Sequence, residues 1–328
     1  MDLWDPRPEL NASGGKARGN RKLLASPFKF PKYGQSGLQM SEIWPNLGRH
    51  ADDVAIVRST YTDAPAHGPA TYMQNTGEMQ EIRPAVGSWV LYGLGTENQN
   101  LPGFITMSPG GGPDARNYTN AFLPGAYQGT FVDSNNTRIE DIIKNIKSDF
   151  ASRGDQRKQL DLLLKLNEVH KQKRQAEGDL EARINSFELA YRMQTDAREA
   201  FDISLYKAET PAKYGYNGQG RQMLIARRLL ERGVRFVQVR QGGWDLHGGI
   251  AQRAQRNADQ LDPAIGAIVD DLKERGLFED TLIYITSEFG RSPTEDGAGG
   301  RSHNARGLST VLSVSYTHLR AHETREDR

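Results

Sequence analysis

Four stretches of the chain are apolar over the length of a strand and end at glycine, proline or polar residues: 53–59, 103–108, 235–240 and 282–287. β-Branched and aromatic side chains fill them, which suits a pleated, half-buried surface, so each is read as a strand. Two longer stretches repeat their apolar positions every three or four residues. Between Gln219 and Arg232, Met223, Ala226, Leu229 and Leu230 share a face, and between Asp259 and Arg275, Leu261, Ile265, Ile268, Val269 and Leu272 do. Gly233 and Gly276 stop these helices. Helix, glycine and strand in repetition predict βαβ units, hence an α/β fold with a mostly parallel sheet flanked by helices.

From about Ser152 to Tyr206 the strand signal disappears. Leu160, Leu163, Leu164 and Leu166 begin a helical stripe, and Leu180, Ile184, Phe187 and Tyr191 continue it among charged and amide side chains. This predicts one long helix, or a helical hairpin broken near Gly178, inserted into the sheet domain and covering it. A partner-binding arm is the rival reading; amphipathic helices more often pack on their own domain.

Composition narrows the options. Lys plus Arg is 42 against 41 for Asp plus Glu, a net charge of +1, so no global basic field is present for nucleic acid or an anionic membrane. The absence of cysteine from the 328 residues excludes disulfides, thiolate metal sites and a cysteine nucleophile. A mean hydropathy of −0.67 agrees with a solvated helical segment. No apolar run approaches the roughly 20 residues of a transmembrane helix, and the acidic start Met1-Asp2-Leu3-Trp4-Asp5 carries no visible export signal.

The residues able to do chemistry gather at the carboxyl ends of the expected strands, where open α/β sheets place their sites. Gly242-Gly243-Trp244-Asp245-Leu246-His247-Gly248-Gly249 follows one strand and Glu288-Phe289-Gly290-Arg291 another, with Gly300-Arg301-Ser302-His303-Asn304 shortly beyond. Asp245 and His247, two apart in extended chain, point the same way, and a carboxylate beside an imidazole suits a divalent metal. Glu288 at the end of a buried strand needs a partner or a metal. Arg291 is either that partner or a clamp for an anionic oxygen. His303 adds a second imidazole, so two carboxylates and two imidazoles are expected at one edge of one sheet. Pro109-Gly110-Gly111-Gly112-Pro113 lacks the Lys and Ser/Thr of a phosphate loop and is read as a plain loop; His50 and His170, in charged helical settings, are read as solvated.

These motifs, with 2–10, 67–77 and 227–237, together resemble the family called domain of unknown function 1501, which is grouped with the sulfatases in the alkaline phosphatase superfamily. The resemblance runs from residue 1 to about 312. It implies a sulfatase-like α/β fold with a divalent metal (Ca, Zn or Mn) on the carboxyl edge of the sheet. By analogy Asp245, His247, Glu288 and His303 are metal or catalytic positions and Asp2 is a further ligand. The His67-Gly68-Pro69-Ala70-Thr71 run, followed by Thr76-Gly77, matches the proline and Thr-Gly spacing of the sulfatase nucleophile motif. His67 then stands where the formylglycine precursor would be, which histidine cannot become, and ligand, general base and nucleophile all stay open for it. Ser59 and Thr62 are the alternative hydroxyls. The second metal motif is incomplete, since Glu288 is followed by Phe289 rather than His.

Members of that family carry an export signal and a first strand ahead of the Asp2-Leu3-Trp4-Asp5-Pro6 motif, so the chain is expected to be a fragment of an exported protein. Val314 to Thr324 back-translates to a transposase sequencing adapter, and 313–328 is therefore expected to be an artefactual tail after an incomplete 1–312 domain. The expected function is metal-dependent hydrolysis of a sulfate or phosphate ester, the substrate being a small or polymeric anionic ester held by Arg58 or Arg291. The rival is a non-catalytic member of the fold binding an anionic polymer or a protein.

Overall fold

A computed structural model describes residues 2–108, 114–136, 139–142, 150–173, 187–189, 191–193, 197 and 199–313. The glycine-rich run 109–113, the stripe positions Gly178, Leu180 and Ile184, and the adapter-like run 314–328 lie outside the described residues. The chain divides into two compact units, one of Met1–Gln74, Ala208–Met223 and Gln241–Arg328, the other of Asn75–Lys207 and Leu224–Arg240.

All four expected strands are present, as β5 (Val54–Thr60), β6 (Phe104–Ser108), β8 (Phe236–Val239) and β9 (Ile283–Ile285). They do not share one sheet. In the second unit β6 is central between β7 (Thr130–Asp133) and β8, parallel to both. Phe104, Ile105 and Met107 of β6 are buried on both faces of the strand, the continuous apolar run of an interior parallel strand. Helix α4 (Val86–Leu94) packs Leu91 against Phe104. In the first unit β12 (Leu308–Ser313) lies between β5 and β9, antiparallel to each, with the fully buried Val311 opposite Ile56 on one side and Ile285 on the other. The single, mostly parallel sheet is thus replaced by several sheets, of which one three-stranded sheet is parallel. Helix α9 (Ile250–Glu274), which links β8 to β9, buries its apolar face in the first unit's core instead of returning the chain to the sheet it left.

The two predicted helices form as α8 (Gly218–Glu231) and α9, and Gly233 and Gly276 follow them with φ of 75° and 66°. Left-handed backbone after a last turn costs glycine nothing, which is why both helices stop there. α9 starts nine residues ahead of the expected Asp259, since Ala254 and Ala258 extend the buried stripe of Leu261 and Ile265 backwards at four-residue spacing. In the insertion, α6 (Arg153–Lys173) is helical as expected, with Leu160 buried.

The core of the first unit is a column of three indoles, Trp4 on Trp44 at 4.8 Å and Trp44 on Trp244 at 5.8 Å, surrounded by Leu47, Val54, Leu246, Ile250 and Val311. Asp262 fixes α2 (Pro45–Gly48) to α9: its buried carboxylate accepts from the Asn46 and Leu47 amides at 2.8 and 2.9 Å. Burial pushes this carboxyl up and the amide hydrogen bonds oppose it. Asp262→Ala leaves those amides without an acceptor, so a loss of about 2 kcal/mol is expected in urea unfolding. His50, expected to be solvated, is buried with its Nε2 3.1 Å from Asp270, and burial lowers its pKa.

Candidate metal centre

The site lies within the first unit and is assembled from three loops and a hairpin. Along 244–247 the side chains alternate as an extended chain requires: Trp244 and Leu246 enter the core, while Asp245 and His247 face out together, 3.1 Å apart. The hairpin of β10 (Gly290–Asp296) and β11 (Gly300–Asn304) sets Arg291 directly opposite His303. His67 is the first residue of α3 (His67–Thr76), and Glu288 sits between β9 and β10. The loop ahead of α3 is tied to the β11–β12 loop by the Thr62 amide, which donates to the Ala305 carbonyl at 2.9 Å.

Asp245 is the hub. Its Oδ1 lies 3.1 Å from His303 Nε2, 3.1 Å from His247 Nε2 and 2.7 Å from an Arg291 guanidinium nitrogen, and its Oδ2 lies 3.2 Å from His67 Nε2. The Nε2 atoms of His247 and His303 are 3.1 Å apart. Behind each ring the other nitrogen meets an acceptor: His67 Nδ1 at 2.6 Å from Glu288, His247 Nδ1 at 2.8 Å from Asp296, His303 Nδ1 at 2.6 Å from the Pro65 carbonyl. A carbonyl only accepts, and so does an ionised carboxylate, so each Nδ1 donates. A neutral imidazole with its proton on Nδ1 presents a lone pair at Nε2. Three such lone pairs then face the two oxygens of one carboxylate, two of them on Oδ1 and one on Oδ2, an arrangement that repels itself unless positive charge lies between them.

That is the test of fit for a metal. Ligand atoms around a four-coordinate zinc are about 3.3 Å apart, given bonds of about 2.0–2.1 Å; Asp245 Oδ1 and the Nε2 atoms of His247 and His303 are each 3.1 Å from one another, and His67 Nε2 lies 3.2 Å from the second oxygen, Oδ2. Metal-bound histidines characteristically donate their second nitrogen to a carboxylate or carbonyl, as all three do. Among the described residues His67, Asp245 and His303 form the group whose ligand atoms all lie within 4.8 Å of one another. With neutral imidazoles, the carboxylates of Asp245, Glu288 and Asp296 outnumber the guanidinium of Arg291 by a charge that one divalent cation balances.

The electrostatics favour ionised carboxylates. Partial burial works to raise the Asp245 carboxyl, and the hydrogen bond and positive charge of Arg291 outweigh it and hold it well below the usual range. Glu288 likewise stays low against its burial through its own backbone amide, Ser287 and His67. The hydrogen bond from His247 lowers Asp296. Solvent reaches the centre, with 47% of the His67 and 43% of the Asp245 side-chain surface exposed. Buried Phe289 forms an apolar wall, its ring 4.2 Å from that of His303 and 5.0 Å from that of His67.

Of the residues expected from sequence, His67, Asp245, His247, Glu288, Arg291 and His303 meet here. They come from several loops and a hairpin, not from one edge of one sheet, because β8 and β9 belong to different sheets. Glu288 touches His67 and Ser287 and, like His247, is not one of the three residues whose ligand atoms all lie within 4.8 Å of one another; His247 differs in that its Nε2 lies 3.1 Å from both Asp245 Oδ1 and His303 Nε2. Asp2 is elsewhere: both its oxygens are taken by the buried guanidinium of Arg301, at 2.6 and 2.9 Å. Arg58 donates to the carbonyls of Trp4 and Gln39. Thr62 is buried with its hydroxyl unpaired. Two parts of the centre escaped sequence reasoning, Asp296 and the Pro65 carbonyl. A carboxylate beside glycines on a hairpin reads as a turn residue, and a backbone carbonyl carries no sequence signal.

A family model described as "Protein of unknown function (DUF1501)" matches residues 1–313. No curated protein and no solved structure matches the chain.

Proposed function

The chain belongs to the protein family of unknown function DUF1501, and from that premise and the geometry of the centre we propose a hydrolase of sulfate or phosphate esters that works with one divalent metal ion. The observation that carries the reading is the convergence of three imidazole Nε2 atoms on the Asp245 carboxylate, each ring fixed through its Nδ1.

His67, His247, His303 and Asp245 would hold the ion. Three nitrogens and one carboxylate suit zinc or a neighbouring transition metal, whereas calcium takes six to eight oxygens. When bound, such an ion supplies Lewis-acid stabilisation of the charge that develops on the ester oxygens. Arg291 has one nitrogen on Asp245 and another on the Arg301 carbonyl, so its guanidinium is held in place and adds a fixed positive charge for an anionic oxygen. Glu288 anchors His67 Nδ1, which leaves Nε2 as that ring's reactive atom, whether it binds metal or takes a proton. Phe289 keeps water from one side of the two rings.

The test is direct. Protein dialysed against excess zinc and calcium together is expected to retain one zinc per chain and no calcium. The zinc form should hydrolyse p-nitrophenyl phosphate or sulfate, and Asp245→Ala or His303→Ala should lower the rate by ~10²-fold or more, the worth of several kcal/mol of lost charge stabilisation. Unchanged metal content and rate in both variants would sink the reading. Zinc uptake with no turnover of either ester would favour the rival, a non-catalytic anion-binding protein whose His67 occupies the nucleophile's place.

A further inference from the structure

The three rings of the centre are held from behind by acceptors on three different elements, and the one on His247 belongs to a residue with no part in the ligand set. We propose that Asp296 is a positioning residue for the metal: it fixes the tautomer and orientation of His247, so that Nε2 is aimed into the centre before any ion arrives. The proposal rests on the metal-binding reading above.

Asp296 ends β10, paired across the hairpin with Gly300. Its Oδ2 lies 2.8 Å from His247 Nδ1. His247 depends on such an anchor, since 46% of its side-chain surface is exposed and little packing holds the ring. A free imidazole distributes its proton between two nitrogens and turns about two torsions, and only one combination points an Nε2 lone pair at Asp245. The hydrogen bond to Asp296 selects that one. A carboxylate also makes the ring a stronger donor to a cation than a carbonyl does. Besides the Nδ1–H of His247, the Arg21 guanidinium of the β1–β2 hairpin (Ala17–Arg18 and Arg21–Lys22) acts on this carboxylate.

Asp296 is itself held by backbone. The hairpin tip is bonded to the loop carrying His247 through Gly249 N to the Ala298 carbonyl, Ile250 N to the Gly299 carbonyl and Arg301 N to the Leu246 carbonyl, at 2.9, 3.1 and 3.0 Å. One hairpin therefore supplies a ligand (His303), a fixed cation (Arg291) and the anchor of a second ligand, and its tip is locked to the loop it orients. The cost of arranging His247 is met in folding and does not fall on metal binding.

Zinc affinity of the full chain, measured by competition with a chromophoric chelator, tests the role of Asp296. Asp296→Ala is expected to weaken zinc binding by ~10–100-fold. Asp296→Asn keeps an acceptor for Nδ1 without the charge and should fall between alanine and wild type. The metal-free unfolding midpoint should be the same in all three, which a merely structural role would not give. Cobalt bound to Asp296→Ala should show a weakened visible band as the fourth ligand loosens. Equal zinc affinity in Asp296→Ala and wild type would overturn the role of Asp296 alone, as would a loss that only tracks a lower metal-free midpoint. Wild-type protein that takes up no zinc would overturn the metal reading and this one with it.

Discussion

Replacing Asp2 by alanine will remove about 3–5 kcal/mol of stability, the cost of leaving a buried charge unpaired, and will leave zinc stoichiometry unchanged. Arg301 is fully buried and gives Asp2 two hydrogen bonds, spending its remaining donors on the carbonyls of Ser292, Pro293 and Leu24. Those carbonyls bear only partial charge, so without Asp2 the guanidinium has no counter-ion among the described residues. Asp2→Asn keeps the shape and one acceptor and should lose less. Denaturant unfolding and metal analysis of the same samples separate this structural role from the ligand role that the family resemblance implies: a ligand would lose zinc first, the ion pair loses stability first.

Gly300→Ala will abolish both tight zinc binding and about 3 kcal/mol or more of stability, the upper end for overpacking, because the obstructing atoms are backbone. A Cβ there would sit 1.9 Å from the His247 carbonyl and 2.3 Å from the Gly248 nitrogen. To make room, the hairpin tip must leave the His247 loop, and Asp296 and His303 move with it. Gly299→Ala is the control. Its Cβ meets nothing within 4 Å, but its φ is +69°, so strain of about 1–2 kcal/mol is expected with zinc binding retained. Equal zinc affinity in wild type and Gly300→Ala would show that the hairpin does not set the centre.

Much of the local structure is legible in the residues. The strand at 236–239 and the helix at 218–231 follow from apolar spacing, and Gly233 and Gly276 end their helices because only glycine takes a left-handed turn without cost. The outward pairing of Asp245 with His247 follows from the twofold alternation of extended chain, with Trp244 and Leu246 as the inward partners. The chemistry was legible as well: of the five histidines ahead of residue 314, three meet at Asp245.

Other features were out of reach. Leu308 to Ser313 mixes serine and threonine with its aliphatic residues, so its place between β5 and β9 depends on two partners that both lie more than 20 residues earlier in the chain. The Arg301–Asp2 pair spans 299 positions, and nothing in the local sequence of either residue marks the other as its partner. Asp296 reads as a turn carboxylate until the hairpin folds it onto His247. The residues by themselves determined periodicity, stops and which reactive side chains the protein owns, since backbone geometry imposes these within a few residues. Tertiary structure alone decided which strands pair, which charge is buried, and which nitrogen of each histidine is left to bind. Those outcomes depend on contacts between distant segments, whose burial and hydrogen-bond partners exist only once the chain has closed on itself.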